Sequence, residues 1–246
     1  MYTKDFADHP RRVRFDMPCK RTASVNNVEA SLWDGPTLEY AFPVAPIQMQ
    51  VVSSSANDTA AGTGVRTIHI HYLDNTYAAK TLDVTMNGIT PVLTVPTNIL
   101  RINGFHATTV GSNMDAVGNI SIQAVGGAVT YGYLHAGTNR ARHPTFTVPY
   151  GKMLYLCQWS VTEASAAAAI VDVELEATYH DGIVYPGVML TQALACGQYL
   201  IEDTIWQVPL SLPAMVDVQV SATSNGAADN ATVTSNLVGW LETEGV

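Results

Sequence analysis

The stretch Lys152-Met-Leu-Tyr-Leu-Cys-Gln-Trp-Ser-Val-Thr162 places a large apolar residue at almost every second position. Successive side chains of a β-strand point to opposite faces, so Tyr155 and Trp159 are predicted to share one inward face. Leu154 and Leu156 make the other face apolar in the first half of the stretch. A strand that is apolar on both faces is typical of the centre of a sheet, and we predict a central strand here.

The same two-residue period recurs elsewhere in the chain. It runs through Val65 to Tyr72, Val171 to Tyr179 and Val216 to Ser221, and Gly, Asn or Asp residues separate such segments at intervals of about 8–14 residues. This pattern predicts an all-β fold, an antiparallel, jelly-roll-like β-sandwich spanning residues 46–246. Residues 187–196 are the one segment that could form a short helix instead.

A glycine pair marks the clearest turn. The dipeptide Gly126-Gly127 accepts the positive φ angles of a two-residue turn, so the flanking segments should form a β-hairpin. Pairing outward from this turn places Ile122 opposite Tyr131 and Gln123 opposite Thr130.

Residues 1–45 show no sustained periodicity and carry several prolines among charged residues, so we predict an extended N-terminal arm. Residues 1–21 have a net charge of +3, from six cations against three acids. A basic arm of this kind is suited to docking on an acidic protein surface. The predicted contact residues are Lys4, Arg11, Arg12, Arg14, Lys20 and Arg21.

The rest of the chain is acidic. The formal net charge of the whole sequence is -9, and beyond Lys152 eleven acidic residues occur without a single Lys or Arg. Nucleic acid is therefore not an expected partner, because no cation in that half can displace phosphate counterions. The longest apolar run, Ala164 to Val171, is too short to span a bilayer, so no membrane partner is expected.

The termini and cysteines indicate where the chain is made. The first ten residues lack the apolar stretch of a signal peptide. The three cysteines are widely spaced and odd in number, which predicts neither a disulfide framework nor a zinc ribbon. Synthesis in a reducing host cytoplasm fits both observations.

Two groups of residues could bind a metal ion. His69 and His71 project from one strand face about 7 Å apart, a separation that permits shared ligation, but no Glu follows them as in cupins. The carboxylates of Asp172, Glu174 and Glu176 could bind calcium if another loop supplied oxygens. We expect both groups to be polar outer faces, and we predict no metal and no cofactor.

Catalytic motifs are missing from the sequence. There is no GxSxG motif and no Cys beside a His, and the Gly151-Lys152 pair lacks the spacing of a P-loop. No catalytic residue is predicted, so the protein is not expected to be an enzyme. Charged residues make up only 13% of the chain, and the outer faces are rich in Thr, Ser, Asn and Gln. Such faces favour self-association and equally suit sugar binding.

Three segments of the sequence stand out. They are Val51-Val-Ser-Ser-Ser-Ala-Asn-Asp-Thr-Ala-Ala-Gly-Thr-Gly-Val-Arg66, Phe146-Thr-Val-Pro-Tyr-Gly-Lys-Met-Leu-Tyr-Leu-Cys-Gln-Trp-Ser160 and Val216-Asp-Val-Gln-Val-Ser-Ala-Thr-Ser-Asn225. These segments resemble a family of tailed-phage and large-virus virion structural proteins. The family carries a serine-rich strand, an AAGTG-type loop followed by Arg, and a closing pair of strands. The resemblance implies a β-sandwich virion component and carries over no catalytic residue.

Within that class we favour a decoration or cement protein of the bacteriophage capsid. Its expected partners are the major capsid protein, bound through the arm and the sandwich edges, and copies of itself, as a homotrimer on the capsid surface. One alternative is a carbohydrate-binding or receptor-binding module of a head or tail fibre. Another is a neck or tail structural protein.

Overall fold

The computed structural model describes residues 11–22, 25–164, 170–179, 187–197, 201–225 and 232–243. These residues form an all-β, antiparallel structure, which confirms the predicted class. In this part of the chain no helix is long and apolar enough to cross a membrane. Residues 187–196, for which a short helix was considered, belong to a strand because Gly187–Gly197 pairs with Ile170–Tyr179.

The strands are numbered β1 to β16 in chain order. They are β1 Arg12–Arg21, β2 Ala30–Ser31, β3 Met49–Ser53, β4 Val65–Asp74, β5 Ala79–Thr85, β6 Val92–Leu93, β7 Ile99–Val110, β8 Ile120–Ala124, β9 Thr130–Leu134, β10 Thr145–Thr147, β11 Lys152–Ala164, β12 Ile170–Tyr179, β13 Gly187–Gly197, β14 Ile201–Leu212, β15 Val216–Ser224 and β16 Thr232–Thr243.

The chain divides into two compact units. One unit combines the residues up to Leu32 with those from Pro144 onward, and we call it the split unit. The other unit consists of Trp33–His143, and we call it the inserted unit because its sequence interrupts that of the first. The predicted boundary between residues 45 and 46 is not one of these division points.

The split unit contains two sheets whose inward side chains form one buried cluster. The first sheet has the strand order β1-β16-β11-β14, and the second has the order β10-β15-β12-β13, with β2 paired to β15. β11 lies between β16 and β14, so the prediction of an interior strand is confirmed. Seven of the predicted inward residues of β12 and β15 are fully buried, and Tyr179, the eighth, is half-buried against the same cluster. The seven are Val171, Val173, Leu175, Ala177, Val216, Val218 and Val220.

The predicted extended arm differs from the structure over its described residues. Arg12–Arg21 is β1, which pairs along its full length with β16. Phe15, Met17 and Cys19 are buried in the core of the split unit at every second position. Charged residues and Pro18 stand between these apolar residues and conceal the strand period in the sequence.

The residues after β2 also pack instead of extending freely. Trp33 is buried, its ring meets that of Tyr40 edge to face at 5.3 Å, and the Tyr40 hydroxyl donates a hydrogen bond to the carbonyl of Tyr131 at 3.0 Å. This part of the predicted arm therefore belongs to the inserted unit.

The prediction that Tyr155 and Trp159 share an inward face is wrong. The pairing of β11 with both neighbouring strands shifts between Leu156 and Gln158, which indicates a β-bulge at Cys157. Leu154 and Leu156 point inward before the bulge, and Trp159 points inward after it. The extra residue leaves Tyr155 outside the core, where its ring stacks on Trp240 at 5.1 Å.

The inserted unit has two smaller sheets, with strand orders β6-β3-β8-β9 and β5-β4-β7. The inward face predicted for β4 is confirmed, since Ile68, Ile70 and Tyr72 are buried. The hairpin of β8 and β9 has the predicted Gln123–Thr130 pair. Ile122, however, pairs with Gly132 because the register shifts by one residue.

Candidate interaction edges and an imidazole cluster

The cations predicted to form a binding arm lie mainly on β1. Lys4 falls outside the described residues. Arg11 immediately precedes the strand and is exposed, as is Arg14 within it, while Lys20 is half-buried. β1 is the outermost strand of its sheet, so these cations line one rim of the split unit.

Two of the predicted contact residues interact with the split unit itself. The Nε atom of Arg12 donates to the Glu242 carboxylate at 2.9 Å, and the guanidinium lies 5.0 Å from the centre of the Trp240 ring. Arg21 is buried and donates a hydrogen bond to the carbonyl of Ser31 at 3.4 Å. Arg12 and Arg21 therefore have a structural role, and Arg11, Arg14 and Lys20 are the cations that a partner could reach.

β14 forms the opposite rim of the same sheet. Ile201 and Ile205 are each 67% exposed, and Val208 is 81% exposed. No described strand pairs with the outer edge of β14. An open edge with a row of exposed apolar side chains is a site where another chain can associate.

The second half of β14 departs from regular pairing. Leu156 pairs with Leu210, and Gln158 pairs with Ile205, so four residues of β14 lie opposite the single residue Cys157. This bulge contains Pro209, which has no backbone N–H to donate. Regular backbone pairing with another chain is therefore interrupted at residues 206–209, and residues 201–205 form the longest regular stretch of this edge.

The two rims of the four-stranded sheet carry opposite charge. β1 contains Arg12, Arg14, Lys20 and Arg21 against the single acid Asp16. β14 contains Glu202 and Asp203 and no cation. Opposite charges on the two edges favour contact between the basic rim of one molecule and the acidic rim of another.

A buried carboxylate organises the loops of the inserted unit. Asp58 is fully buried and accepts hydrogen bonds from the backbone N–H groups of Val65 at 2.8 Å, Val117 at 3.0 Å and Gly118 at 2.8 Å. The Ser53 hydroxyl donates to the same carboxylate at 2.6 Å. Asp58 therefore joins the end of β3, the start of β4 and the loop before β8.

The glycines of the AAGTG-type loop leave room for this arrangement. A Cβ atom on Gly64 would lie 2.0 Å from Oδ1 of Asp58, and one on Gly62 would lie 2.0 Å from the carbonyl oxygen of Asn57. Both distances are too short for any side chain. The residues that carry the sequence resemblance are therefore the residues that build a tight loop around a buried acid.

Three histidines lie together on the outer face of the β5-β4-β7 sheet. Their ring centres are 4.8 Å apart for His69 and His71, 5.4 Å for His69 and His106, and 5.8 Å for His71 and His106. Nδ1 of His69 lies 2.7 Å from the carboxylate of Asp83 on β5. The sequence alone places His69 and His71 on one strand face. His106 lies beside them because β4 pairs with β7, with His69 opposite His106.

Burial and positive neighbours act on two of these imidazoles. Burial lowers the pKa of His71 below its usual value, and the charges of His69, His106 and Arg140 lower it further. The pKa of His106 is lowered by burial, and then by His69 and Arg140, while Asp83 acts in the opposite direction. Both side chains are therefore held in the neutral form near neutral pH.

The other candidate groups show no catalytic arrangement. Burial raises the pKa of the Cys19, Cys157 and Cys196 thiols, which keeps them protonated and unreactive. Burial and the nearby Glu29 and Glu174 raise the pKa of Glu176. Among the described residues, no three His, Cys, Asp or Glu side chains have donor atoms already placed to hold a metal ion.

The four tryptophans bear on the sugar-binding alternative. Trp33, Trp159 and Trp240 are buried, and Trp206 is half-buried against the core of the split unit. The indole N–H of Trp159 donates to the Ser235 hydroxyl at 2.8 Å. A carbohydrate platform requires an exposed Trp or Tyr ring; none of the tryptophans provides one, whereas Tyr150 is 69% exposed.

Comparison with known proteins gives structural similarity only. No protein-family model and no curated protein matches the chain. The chain is similar to a chain in the structure of infectious bursal disease virus, Gx strain, with a TM-score of 0.23 and 10% identity over 96% of this chain and 77% of that one. It is also similar to a chain of the T13 particle of that virus, with a TM-score of 0.22, 9% identity and coverages of 96% and 74%. TM-scores this low carry no argument about fold or function.

Proposed function

We propose that this protein is a non-enzymatic structural component of a virion that associates with copies of itself through the two rims of its four-stranded sheet. The observation that carries the proposal is a pair of sheet edges with which no described strand pairs: β1 is basic, and β14 is acidic with exposed Ile201, Ile205 and Val208. The resemblance of residues 51–66 and 146–160 to virion structural proteins supports the biological setting.

Strand direction favours contact between unlike rims. Each strand of the order β1-β16-β11-β14 is antiparallel to its neighbour, so β1 and β14 run in opposite directions. A second copy in the same orientation therefore places its β1 antiparallel to the β14 of the first. Repeated contacts of this kind close into a ring when the rotation between copies allows it, and a ring of three gives the predicted homotrimer.

The register suggests which charges meet. Pro18, Asn236, Ser160 and Asp203 lie on one row across the sheet, and Lys20 lies two residues beyond Pro18 on the same face. A two-residue stagger between copies keeps every side chain on its own face and places Lys20 opposite Asp203. This pair is the most direct test of the contact.

The finer assignment is a decoration or cement protein on the surface of a bacteriophage capsid, bound to the major capsid protein. The division of inward side chains between two sheets in one buried cluster supports a sandwich for the split unit, and a jelly roll is the form we propose. A surface low in charge supports broad contacts with neighbouring subunits.

Charge exchange tests the proposed contact. Asp203→Lys and Lys20→Glu each place like charges at the contact, so each single variant should move the mass measured by light scattering toward the monomer. The double variant restores an opposite pair and should recover the oligomer. Raising the salt concentration should weaken the wild-type oligomer. Co-sedimentation of the same variants with undecorated capsids tests the decoration role.

Asp172→Lys is the matched control, because Asp172 is an exposed acid on β12, which pairs with β13 and β15 and lies on neither rim. It should leave the mass unchanged. A wild-type chain that remains monomeric both free and on capsids would contradict the proposed function. If the wild type forms an oligomer and all three charge variants keep it, the protein self-associates through a contact other than Lys20 and Asp203.

A further inference from the structure

The imidazole cluster on the outer face of the inserted unit has the spacing of a three-histidine metal centre. In such a centre each metal–nitrogen bond is about 2.0–2.1 Å and the angles are tetrahedral, which places neighbouring ring centres about 5 Å apart. The three observed separations lie between 4.8 and 5.8 Å. We propose that His69, His71 and His106 bind one zinc-type divalent transition-metal ion, independently of the proposed virion role.

Ring rotation reconciles this spacing with the arrangement of the donor atoms. In the described residues these atoms are not already gathered around one point. Rotation of an imidazole about its Cβ–Cγ bond moves both nitrogens and leaves the ring centre almost in place. Partly exposed side chains make such rotations rapidly. The ring-centre distances are preserved by such rotation, and they are compatible with three ligands of one ion once the rings of His71 and His106 turn toward a common point.

Asp83 supplies a feature that metal-binding histidines commonly show. A ligand histidine usually places its second ring nitrogen against a carboxylate, which fixes the ring and strengthens the metal bond. Nδ1 of His69 lies 2.7 Å from Asp83, which leaves Nε2 of His69 to face the ion. The carboxylate also adds a negative charge beside the cluster, opposite in sign to Arg140.

One further observation favours binding. Gly104 pairs with His71 across the two strands, and a Cβ atom at Gly104 would contact nothing within 4 Å. The space beside His71 is open, so a water molecule can take the fourth position.

Calorimetric titration of the full-length, tag-free chain with zinc chloride tests the site. We expect saturable binding of one equivalent at neutral pH. His71→Ala should weaken binding at least tenfold. Asp83→Asn keeps all three ligands and should weaken binding about tenfold through loss of the carboxylate.

His135→Ala is the matched control, because His135 is an exposed histidine of the same unit outside the cluster. It should bind zinc like the wild type, and far-ultraviolet circular dichroism should show that all three variants are folded. Failure of the wild type to bind zinc saturably would overturn the proposal. If His71→Ala bound zinc as tightly as the wild type, or if His135→Ala lost as much affinity as His71→Ala, zinc would be bound by other groups. Either result would also overturn the proposal.

Discussion

The split unit and the inserted unit are stabilised in different ways. Six strands of the split unit have ten or more residues, and a large apolar cluster is buried in this unit. The inserted unit has mostly shorter strands, register shifts along β4 and β7, and loops joined through the buried carboxylate of Asp58. Both units have a buried apolar cluster, and the inserted unit in addition has a buried carboxylate that joins its loops.

Trp159→Ala should give the largest effect because it removes the largest side chain from the core of the split unit. The ring is fully buried, and its N–H donates to Ser235. Removing a buried aromatic ring costs about 3–5 kcal/mol, a large part of the stability of a domain. We expect a strongly reduced melting temperature, measured by circular dichroism or calorimetry.

Trp206→Ala is the control for this prediction, because Trp206 is only half-buried on β14. It should lower the melting temperature less than Trp159→Ala. An unchanged melting temperature in Trp159→Ala would show that the core of the split unit does not depend on this ring.

Asp58→Ala should give the next largest effect, located in the inserted unit. It leaves three backbone N–H groups and the Ser53 hydroxyl without their acceptor. Each buried polar group left unpaired costs about 1–3 kcal/mol, and local relaxation reduces the sum, so we expect a loss of about 3 kcal/mol. Hydrogen exchange should show the loss of protection first at the backbone amides of Val65 and Gly118.

Asp115→Ala serves as the control, since Asp115 is a half-buried turn residue of the same unit. It should change stability by much less. If the amides of Val65 and Gly118 exchanged hydrogen as slowly in Asp58→Ala as in the wild type, the loops would not depend on the carboxylate. The contrast between the two units would then fail.

The sequence predicted the split unit better than the inserted unit. Strict alternation of apolar and polar residues identified the inward faces of β12 and β15. A shift of one residue would turn every valine of these strands toward solvent, so only one assignment of the faces buries them. The alternation gave the wrong face for Tyr155 because a β-bulge adds one residue at Cys157. No particular residue type marks such a bulge in a sequence. The prediction of an extended arm was wrong for another reason. Arg14, Asp16 and Pro18 lie between the buried residues of β1, so the sequence of this half-buried strand resembles that of a linker.

The candidate sites show the same limit. His69 and His71 lie two residues apart, so the sequence alone places them on one face. His106 is more than thirty residues away along the chain, and only the pairing of β4 with β7 brings it beside them. The resemblance segments marked the loop containing Asp58, yet its four hydrogen bonds depend on contacts with residues up to 60 positions away in the chain.

Acid should affect the inserted unit, since all described histidines lie in it. Burial lowers the pKa of His143 from 6.5 to about 4. The unfolded chain therefore binds a proton at this position at higher pH than the folded chain does. The stability associated with neutral His143 is complete above about pH 6.5 and falls as the pH drops toward 4, by about 2 kcal/mol at pH 5.

Urea unfolding of the wild type and His143→Gln at about pH 7.5 and pH 5 measures this difference. The wild type should lose about 2 kcal/mol more than the variant between the two pH values, because glutamine takes up no proton. His135→Gln, at an exposed position, should behave like the wild type. Equal losses in the wild type and His143→Gln would remove His143 as a source of acid sensitivity.

Arg12→Ala should have the smallest effect, although Arg12 forms the best-defined ion pair of the split unit. Both partners are about a quarter to a third exposed, and water screens their attraction. Such a pair contributes about 0.5 kcal/mol, and stacking over Trp240 adds a similar amount, so the loss should stay below about 1 kcal/mol. Chemical denaturation measures it, with exposed Arg14→Ala as the control. A loss as large as that of Asp58→Ala would show that a polar contact is as important in the split unit as in the inserted unit, and the difference drawn between the two units would no longer hold.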